Sequence, residues 1–464
     1  MKRFIALAVL AALCLSLLAG CGQPAPSQSA AAPSQTASQP ADSAPAAKEY
    51  PAGKMTFWTY GMPEYMKRYF DGYIAREGSG AQGVEVEMVN YSGEAEVRQQ
   101  VMMSLTAGST ADLPTAISTF PVSMQVLAEN GILKDITDQV QPYLDQFIPG
   151  AFDQATYNGR IYGIPYALQP KMLFYNNDLF EEYGIDPARM STMDGYIEVG
   201  KELLEKSGGK VQLSYVDPGS YTWRYWFRRG LMPQAGAKIW SDDGASVVFD
   251  TDPGTKLAFS TFQQLFEGGM LYNAATFQPA QYEAAREGKI ATFYIESFWD
   301  SYLRSNLADM SGSWRSMPAP VFSEVGTAGA QAIGMYCIVN KENDPYTDLF
   351  VDMMLDFNLN TEARNAWSDE MIAEGLPTEH PITKDMLADP YWSQPSDYYG
   401  GESYKQMVTK AYENQSDNLP VTENDAEADT IISSELEKYV AGSQDMDTTI
   451  QTIGKLLRQK LNLK

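Results

Sequence analysis

Histidine is almost missing from this chain. Its 464 residues contain one, His380, beside three cysteines, Cys14, Cys21 and Cys337. A zinc site built from His and Cys needs more ligands than that. A Ser-His-Asp enzyme would have to use His380, and no Gly-x-Ser-x-Gly turn is present to carry its nucleophile. Positive charge is scarce as well: 34 Lys and Arg face 59 Asp and Glu, for a net charge of -25. No cationic surface dominates, which argues against nucleic acid or anionic lipid as a main partner. No repeat of fixed period occurs, so solenoids and propellers are not expected. The run Gly195-Tyr196-Ile197-Glu198-Val199-Gly200-Lys201-Glu202 has phosphate-loop spacing, but it ends in Glu where Ser or Thr must ligate magnesium. It also lies inside a helical pattern. No cofactor is expected.

What is present reads as an ordinary globular protein, 44% hydrophobic and 20% charged. The length exceeds one hydrophobic core and favours two lobes. Aromatic residues are abundant at 12%, with 28 Tyr and 8 Trp.

The first twenty residues have the order of an export signal: Lys2 and Arg3, an uncharged apolar run over 4–18, then Ala19 and Gly20. The run is short for a membrane span. Leu18-Ala19-Gly20-Cys21 resembles the bacterial lipobox, in which the cysteine is acylated and becomes the first residue after cleavage. We therefore read 1–20 as a lipoprotein signal peptide and Cys21 as the lipidation site. Residues 21–50 follow as a linker; of the 29 residues 22–50, 24 are Ala, Pro, Ser, Gln or Thr. Such composition does not bury enough apolar surface to order itself, and as a coil it reaches roughly 30 Å. Cys337 is then the only body cysteine. It sits in the apolar run Ile333-Gly334-Met335-Tyr336-Cys337-Ile338-Val339, a buried strand, and is expected to be inert.

From residue 50 onward strand-like and helix-like runs alternate, the α/β signature. Met55-Thr56-Phe57-Trp58 is one strand; Val84, Val86 and Met88 alternate with Glu85 and Glu87 in another. Tyr65, Tyr69, Phe70 and Tyr73 have helical spacing, as do Val97, Val101, Met102 and Leu105. Leu179, Phe180 and Tyr183 mark a helix stopped by Gly184, and a further helix runs from about 252 to 266 before Gly268-Gly269. Ile450, Ile453, Leu457 and Leu461 form the stripe of a C-terminal helix.

Asn158-Gly159-Arg160-Ile161-Tyr162-Gly163-Ile164-Pro165-Tyr166 leads into Leu173-Phe174-Tyr175-Asn176-Asn177-Asp178-Leu179-Phe180. This pair resembles the signature of family 1 extracellular solute-binding proteins, the maltose-binding-protein-like capture subunits of ATP-binding-cassette importers. Asn-Gly reads as a turn, Ile-Tyr-Gly-Ile-Pro as an entering strand and Leu-Phe-Tyr-Asn as a return strand feeding a helix. Gly288-Lys289-Ile290-Ala291 with Trp299, then Met317-Pro318-Ala319-Pro320 and the strand over 332–340, resemble later family segments. So do Asn418-Leu419-Pro420 and the closing helices. The sequence departs from the family at Ser191-Thr192-Met193-Asp194-Gly195, which lacks the usual Trp. It departs again at Glu296-Ser297-Phe298-Trp299, which lacks a Gly before Trp. The resemblance implies the two-lobe type II periplasmic-binding-protein fold with a hinged cleft. The first lobe is expected at 51–167 plus 320–360 and the second at 168–318 plus 361–464, with the first crossing near 167–170.

A sugar presents hydroxyls and apolar C–H faces, so its site combines stacking aromatics with polar groups. Carried over from the family, Trp299 falls on the sugar-stacking tryptophan, and Gln169 on a hinge position that reaches ligand. Ser220-Tyr221-Thr222-Trp223 resembles the second-lobe aromatic segment and nominates Tyr221 and Trp223. Trp58 and Tyr60 at the exit of the first strand, Thr119 and Phe120 after the strand over 115–117, and Glu296 complete the set. For each aromatic the alternative is core packing. Trp367 and Trp392 have no assigned role.

The resemblance implies a lipid-anchored, extracytoplasmic, monomeric binding protein that is not an enzyme. It would hold a carbohydrate, hand it to a permease driven by a separate ATPase, and touch the membrane only through its anchor. Two alternatives stay open. A polyamine would suit acidic residues and an aromatic cage. A secreted glycoside hydrolase needs only two carboxylates, which 59 acids can supply.

Overall fold

A computed structural model describes residues 48–61, 64–108, 112–327, 331–413, 416, 419, 422 and 424–463. The signal peptide, Cys21 and the linker up to 47 lie outside the described residues. Residues 47–464 form one compact unit.

The spine is a seven-stranded sheet. In chain order its strands are β1 (Gly53–Tyr60), β2 (Val84–Tyr91), β3 (Ala116–Thr119), β4 (Gly163–Asn176), β5 (Thr292–Glu296), β6 (Trp314–Pro318) and β7 (Gln331–Ile338). They run in the order β6-β4-β7-β3-β1-β2, with β5 also pairing to β4. β2, β1 and β3 are parallel, joined by the helices Glu64–Ala75 and Glu94–Thr106 as βαβ units. The period of two in β2 is realised: Val84 and Val86 are buried, while Glu85 and Glu87 face water.

β4 corrects one expectation. The entering and return strands are a single strand of 14 residues. Its first half pairs with β7 in the first lobe and its second half with β5 and β6 in the second. Pro165 sits where a register shift between Gly334 and Met335 relaxes the β7 ladder, and Pro170 sits opposite Gln331 at the end of the described pairing. Gly334 has a second purpose there: a Cβ would lie 2.3 Å from the Tyr166 ring. Its absence lets Tyr166 lie flat across β7 and stack on Tyr336 at 4.5 Å.

Two sets of cores result. The first takes Met55 to Leu168 and returns from Met335. The second lobe holds two clusters, one around Phe227, Phe259 and Ile453 and one around Phe293, Trp299 and Trp314. The expected division at 360/361 does not follow this packing. Helix Thr361–Ala373 puts Trp367 and Met371 into the first core, and Ile382 joins them. The Trp367 indole donates to the Tyr65 carbonyl at 2.7 Å. The first lobe therefore keeps the chain to about residue 382. An amphipathic stripe shows that a helix has a buried face, but not which core that face meets.

The remaining local readings on described residues agree with the structure; Asn418 and Pro420 lie outside the described residues. The phosphate-loop look-alike lies inside helix Met193–Ser207, capped by Thr192 on the Gly195 amide. The C-terminal helix Met446–Leu461 buries Ile450, Ile453 and Leu457. Cys337 is fully buried, and desolvation pushes its thiol well above the ordinary range, as an inert core cysteine requires. No helix among the described residues is long and apolar enough to cross a membrane.

Candidate functional site

A cavity of about 600 Å³ lies between the lobes. The first lobe lines it with Glu94 and Arg98 of helix Glu94–Thr106 and with Phe120 at the exit of β3. The second lobe contributes Tyr221, Trp223, Arg224, Arg228 and Arg229, and helix Asp425–Val440 adds Asp429 and Glu437.

The second-lobe wall has an unusual backbone. Residues Thr222–Leu231 form a π-helix, interrupted by non-helical angles at Arg229. Bonding from i to i+5 brings residues four and five apart onto one face, a geometry concentrated at functional sites. Its apolar side (Trp223, Trp226, Phe227 and Leu231) is anchored in the second core. Arg224, Arg228 and Arg229 are left on the cavity side. Asp429 fastens the outer end: it accepts from the Trp223 indole at 2.7 Å and lies 3.7 Å from Arg228, whose guanidinium also donates to Asp425 at 2.7 Å.

Arg224 and Arg229 reach across the cavity. Both guanidiniums lie over the Phe120 ring, at 5.7 and 4.6 Å from its centre. Burial lowers the proton affinity of Arg229, and its neighbour Arg224 lowers it further. Beneath them, Glu296 is fully buried, 3.2 Å from Lys171 and 3.9 Å from Arg229. Lys171 spends a hydrogen bond on the Tyr225 carbonyl at 2.7 Å, and burial brings its pKa down to about 8. Neither Glu296 oxygen has an aligned hydrogen-bond donor among the described residues.

A belt of tyrosines continues from this cavity towards the crossover strands. Tyr60 packs on Phe120 at 5.6 Å, with its hydroxyl buried among Tyr166, Glu94 and Ser118. Tyr65 donates to Glu379 at 3.1 Å, and Gln169 adds a further hydrogen bond to that carboxyl. Burial pushes Glu379 up to about 7 despite Arg364, Tyr65 and Gln169, which all pull it down.

Of the residues nominated from sequence, Phe120, Tyr221 and Trp223 line the cavity. Tyr60 touches Phe120 from behind, and Thr119 donates to Glu94 at 2.8 Å, orienting a lining carboxylate. Gln169 sits half-buried on β4 beside Glu379 rather than in the cavity wall. Glu296 lies under the wall. Trp58 packs edge-on against Tyr91 within the first core.

Trp299 is placed differently from expectation. It has no exposed surface and is enclosed by Phe293, Tyr302, Phe277 and Tyr282. It is a core residue under the aromatic surface. The rings that reach solvent above it are Phe277, Phe298 and Tyr302, and this row meets the cavity at Tyr221, stacked on Tyr225 at 5.5 Å. Trp367 and Trp392 are buried too, at 4% and 2% exposure. The arginines were not nominated, although three Arg within 224–229 of an acidic chain, interleaved with aromatics, is a visible signal.

Two lobes stitched by a shared strand, with an aromatic and polar cavity between them, define a solute-binding protein. The chain belongs to the bacterial extracellular solute-binding protein family, which matches residues 74–396. It is 22% identical over 359 residues to an arabinooligosaccharide-binding protein of Halalkalibacterium halodurans, covering 75% of each chain. It is 21% identical to a lactose-binding protein of Rhizobium radiobacter, covering 76% of this chain and 80% of that one. In fold it is similar to an ABC-transporter-associated binding protein from B. animalis subsp. lactis, solved with beta-1,6-galactobiose. That match has a TM-score of 0.71 and 18% identity, covering 88% of this chain and 98% of that one.

Proposed function

We infer that this chain captures an oligosaccharide between its lobes and delivers it to an ABC-type permease. The observation that carries the reading is the meeting of an aromatic row at Tyr221 with a fan of guanidiniums and carboxylates in one interlobe cavity. Rings cover the C–H faces of sugar units while charged groups bind hydroxyls. The sugar-binding relatives support the same ligand class. The protein does no chemistry of its own; transport energy comes from a separate ATPase. It acts as a monomer outside the cell, tethered through acylated Cys21 and the linker behind it. A polyamine is disfavoured, because a cation in this cavity would face Arg98, Arg224, Arg228 and Arg229.

The test is calorimetry of the mature protein against arabino-, galacto- and malto-oligosaccharides and polyamines, with small-angle scattering on each hit. An oligosaccharide should bind and reduce the radius of gyration, since a ligand that prefers the closed form shifts the population towards it. Reducing ends should not accumulate, and Cys21→Ala should leave an unacylated precursor. Binding of polyamines alone, or release of reducing sugar, overturns the reading.

A further inference from the structure

The cavity wall runs against the charge of the whole protein. Acids outnumber bases by 25, yet four arginines line this one space, beside Glu94, Asp429 and Glu437. Their commitments differ. Arg228 is held by Asp425 and Asp429. Arg229 has only Glu296, at 3.9 Å, and Glu296 is shared with the nearer Lys171. The Arg224 guanidinium has no hydrogen bond or ion pair among the described residues and rests on the Phe120 ring. Arg98, on the facing lobe, has no ion pair there either, and its Nε is buried without a hydrogen-bond partner among the described residues. Glu94 is turned towards Thr119.

Placing two guanidiniums over one ring, with no carboxylate hydrogen-bonded to either, is electrostatically unfavourable. Burial and the neighbouring Arg224 both work against the charge on Arg229, whereas Tyr225, Tyr60, Tyr221 and Glu94 outweigh burial at Arg224 itself. The π-helix enforces this, because positions 224 and 229 are five apart and share a face. An anionic group entering between Arg224, Arg229 and Arg98 would relieve that repulsion. It would also use the paired N–H forks that suit planar or tetrahedral oxyanions.

We propose that the captured oligosaccharide is acidic, carrying a uronate carboxylate or a sulfate ester that is held by Arg224 and Arg229 with Arg98 facing them. This rests on the oligosaccharide reading above and narrows it. Neighbouring sugar units lie along the Tyr221 side, and the charged unit lies over Phe120.

The experiment is calorimetry of the mature wild-type protein with matched pairs: trigalacturonate against its methyl ester, and a sulfated galacto-oligosaccharide against the unsulfated one. The acidic member of at least one pair should bind at least tenfold more tightly, and which pair responds identifies the anion. Arg224→Gln should shrink that preference to threefold or less. Arg224→Lys should retain part of it, since it keeps the charge but loses the fork. If the neutral member of each pair binds as well as the acidic one, this proposal fails while oligosaccharide capture stands. If no carbohydrate binds, neutral or acidic, both fail. Because the wild-type comparison decides by itself, an Arg224 variant that misfolds does not protect the idea.

Discussion

Replacing Trp299 by Ala should damage the fold before it damages recognition. The indole has no solvent exposure and sits in a cage of rings: Phe293 at 5.0 Å, Tyr302 stacked at 5.4 Å, Phe277 at 5.6 Å and Tyr282 stacked at 5.9 Å. Truncating a buried Trp to Ala costs about 3–5 kcal/mol, through lost transfer free energy and the cavity left behind. One term opposes this. The indole Nε1 is buried with no hydrogen-bond partner among the described residues, and such a group costs about 1–3 kcal/mol to desolvate. Removing it recovers part of the loss, so the lower end, about 3 kcal/mol, is expected. For a lobe of roughly 200 residues this lowers Tm by about 6–12 °C. Trp299→Phe keeps a ring in the cage and discards the unpaired N–H, so it should cost about 1 kcal/mol or less. Thermal unfolding of the ligand-free variants checks both, with calorimetry well below Tm as the companion measurement. An Ala variant that melts within about 2 °C of wild type yet loses tenfold or more in oligosaccharide affinity would refute the argument. It would show that the indole meets ligand directly.

Two further outcomes follow from buried charge. Glu379 has its pKa raised from 4.5 to about 7 by burial, so the folded state holds the proton more tightly than the unfolded chain. Its contribution is therefore complete below about pH 4.5, falls as pH rises to about 7, and is constant above, for a loss of about 3 kcal/mol. Glu379→Gln can still accept from Tyr65 and should remove that slope and be the more stable protein at pH 8; urea midpoints at pH 4.5, 6 and 8 that fall in parallel for both proteins would contradict this. Lys171→Met should destabilise by about 3–5 kcal/mol, because it leaves Glu296 buried beside only the distant Arg229, whereas Lys171→Met with Glu296→Gln should regain most of the loss. Denaturant midpoints decide, and a single variant within 1 kcal/mol of wild type would mean that Lys171 does not neutralise that carboxylate.

The sheet was largely legible in the sequence because its signals are local. Val84 and Val86 alternate with exposed glutamates, and Asn176 ends β4 by accepting from the Asp178 amide of the next helix. What was not legible depends on direction. Helix Thr361–Ala373 carries Trp367 and Met371 four positions apart, but only the fold reveals that they face the first core. The same limit explains Trp299. Trp299 follows β5 closely, but the chain turns into helix Trp299–Asn306 at that residue. A rotation of one position then decides that Phe298 is half-exposed and Trp299 is not.

The arginine wall shows in the sequence only as three Arg within 224–229, without their shared face. Net charge averages over the whole surface, and a search at a period of 3.6 does not group residues 224 and 229, which the π-helix places together. Once that wall exists, its connection to the crossing strand follows from chemistry. Lys171 and Glu296 are direct cross-strand partners in β4 and β5, Lys171 also binds the Tyr225 carbonyl, and Glu296 is the carboxylate nearest Arg229. The crossover strand, the second-lobe sheet and the π-helix thus share one buried charge cluster. Rotating the second lobe about β4 carries the Arg224–Arg229 pair with it as a body, away from or back onto Phe120 of the first lobe. Phe120 alone gives only a cation–π contact across the cleft, on the order of 1 kcal/mol at a partly exposed site. A ligand that bridges the arginines to the first-lobe wall, as proposed above, would add to that weak contact and favour the closed form.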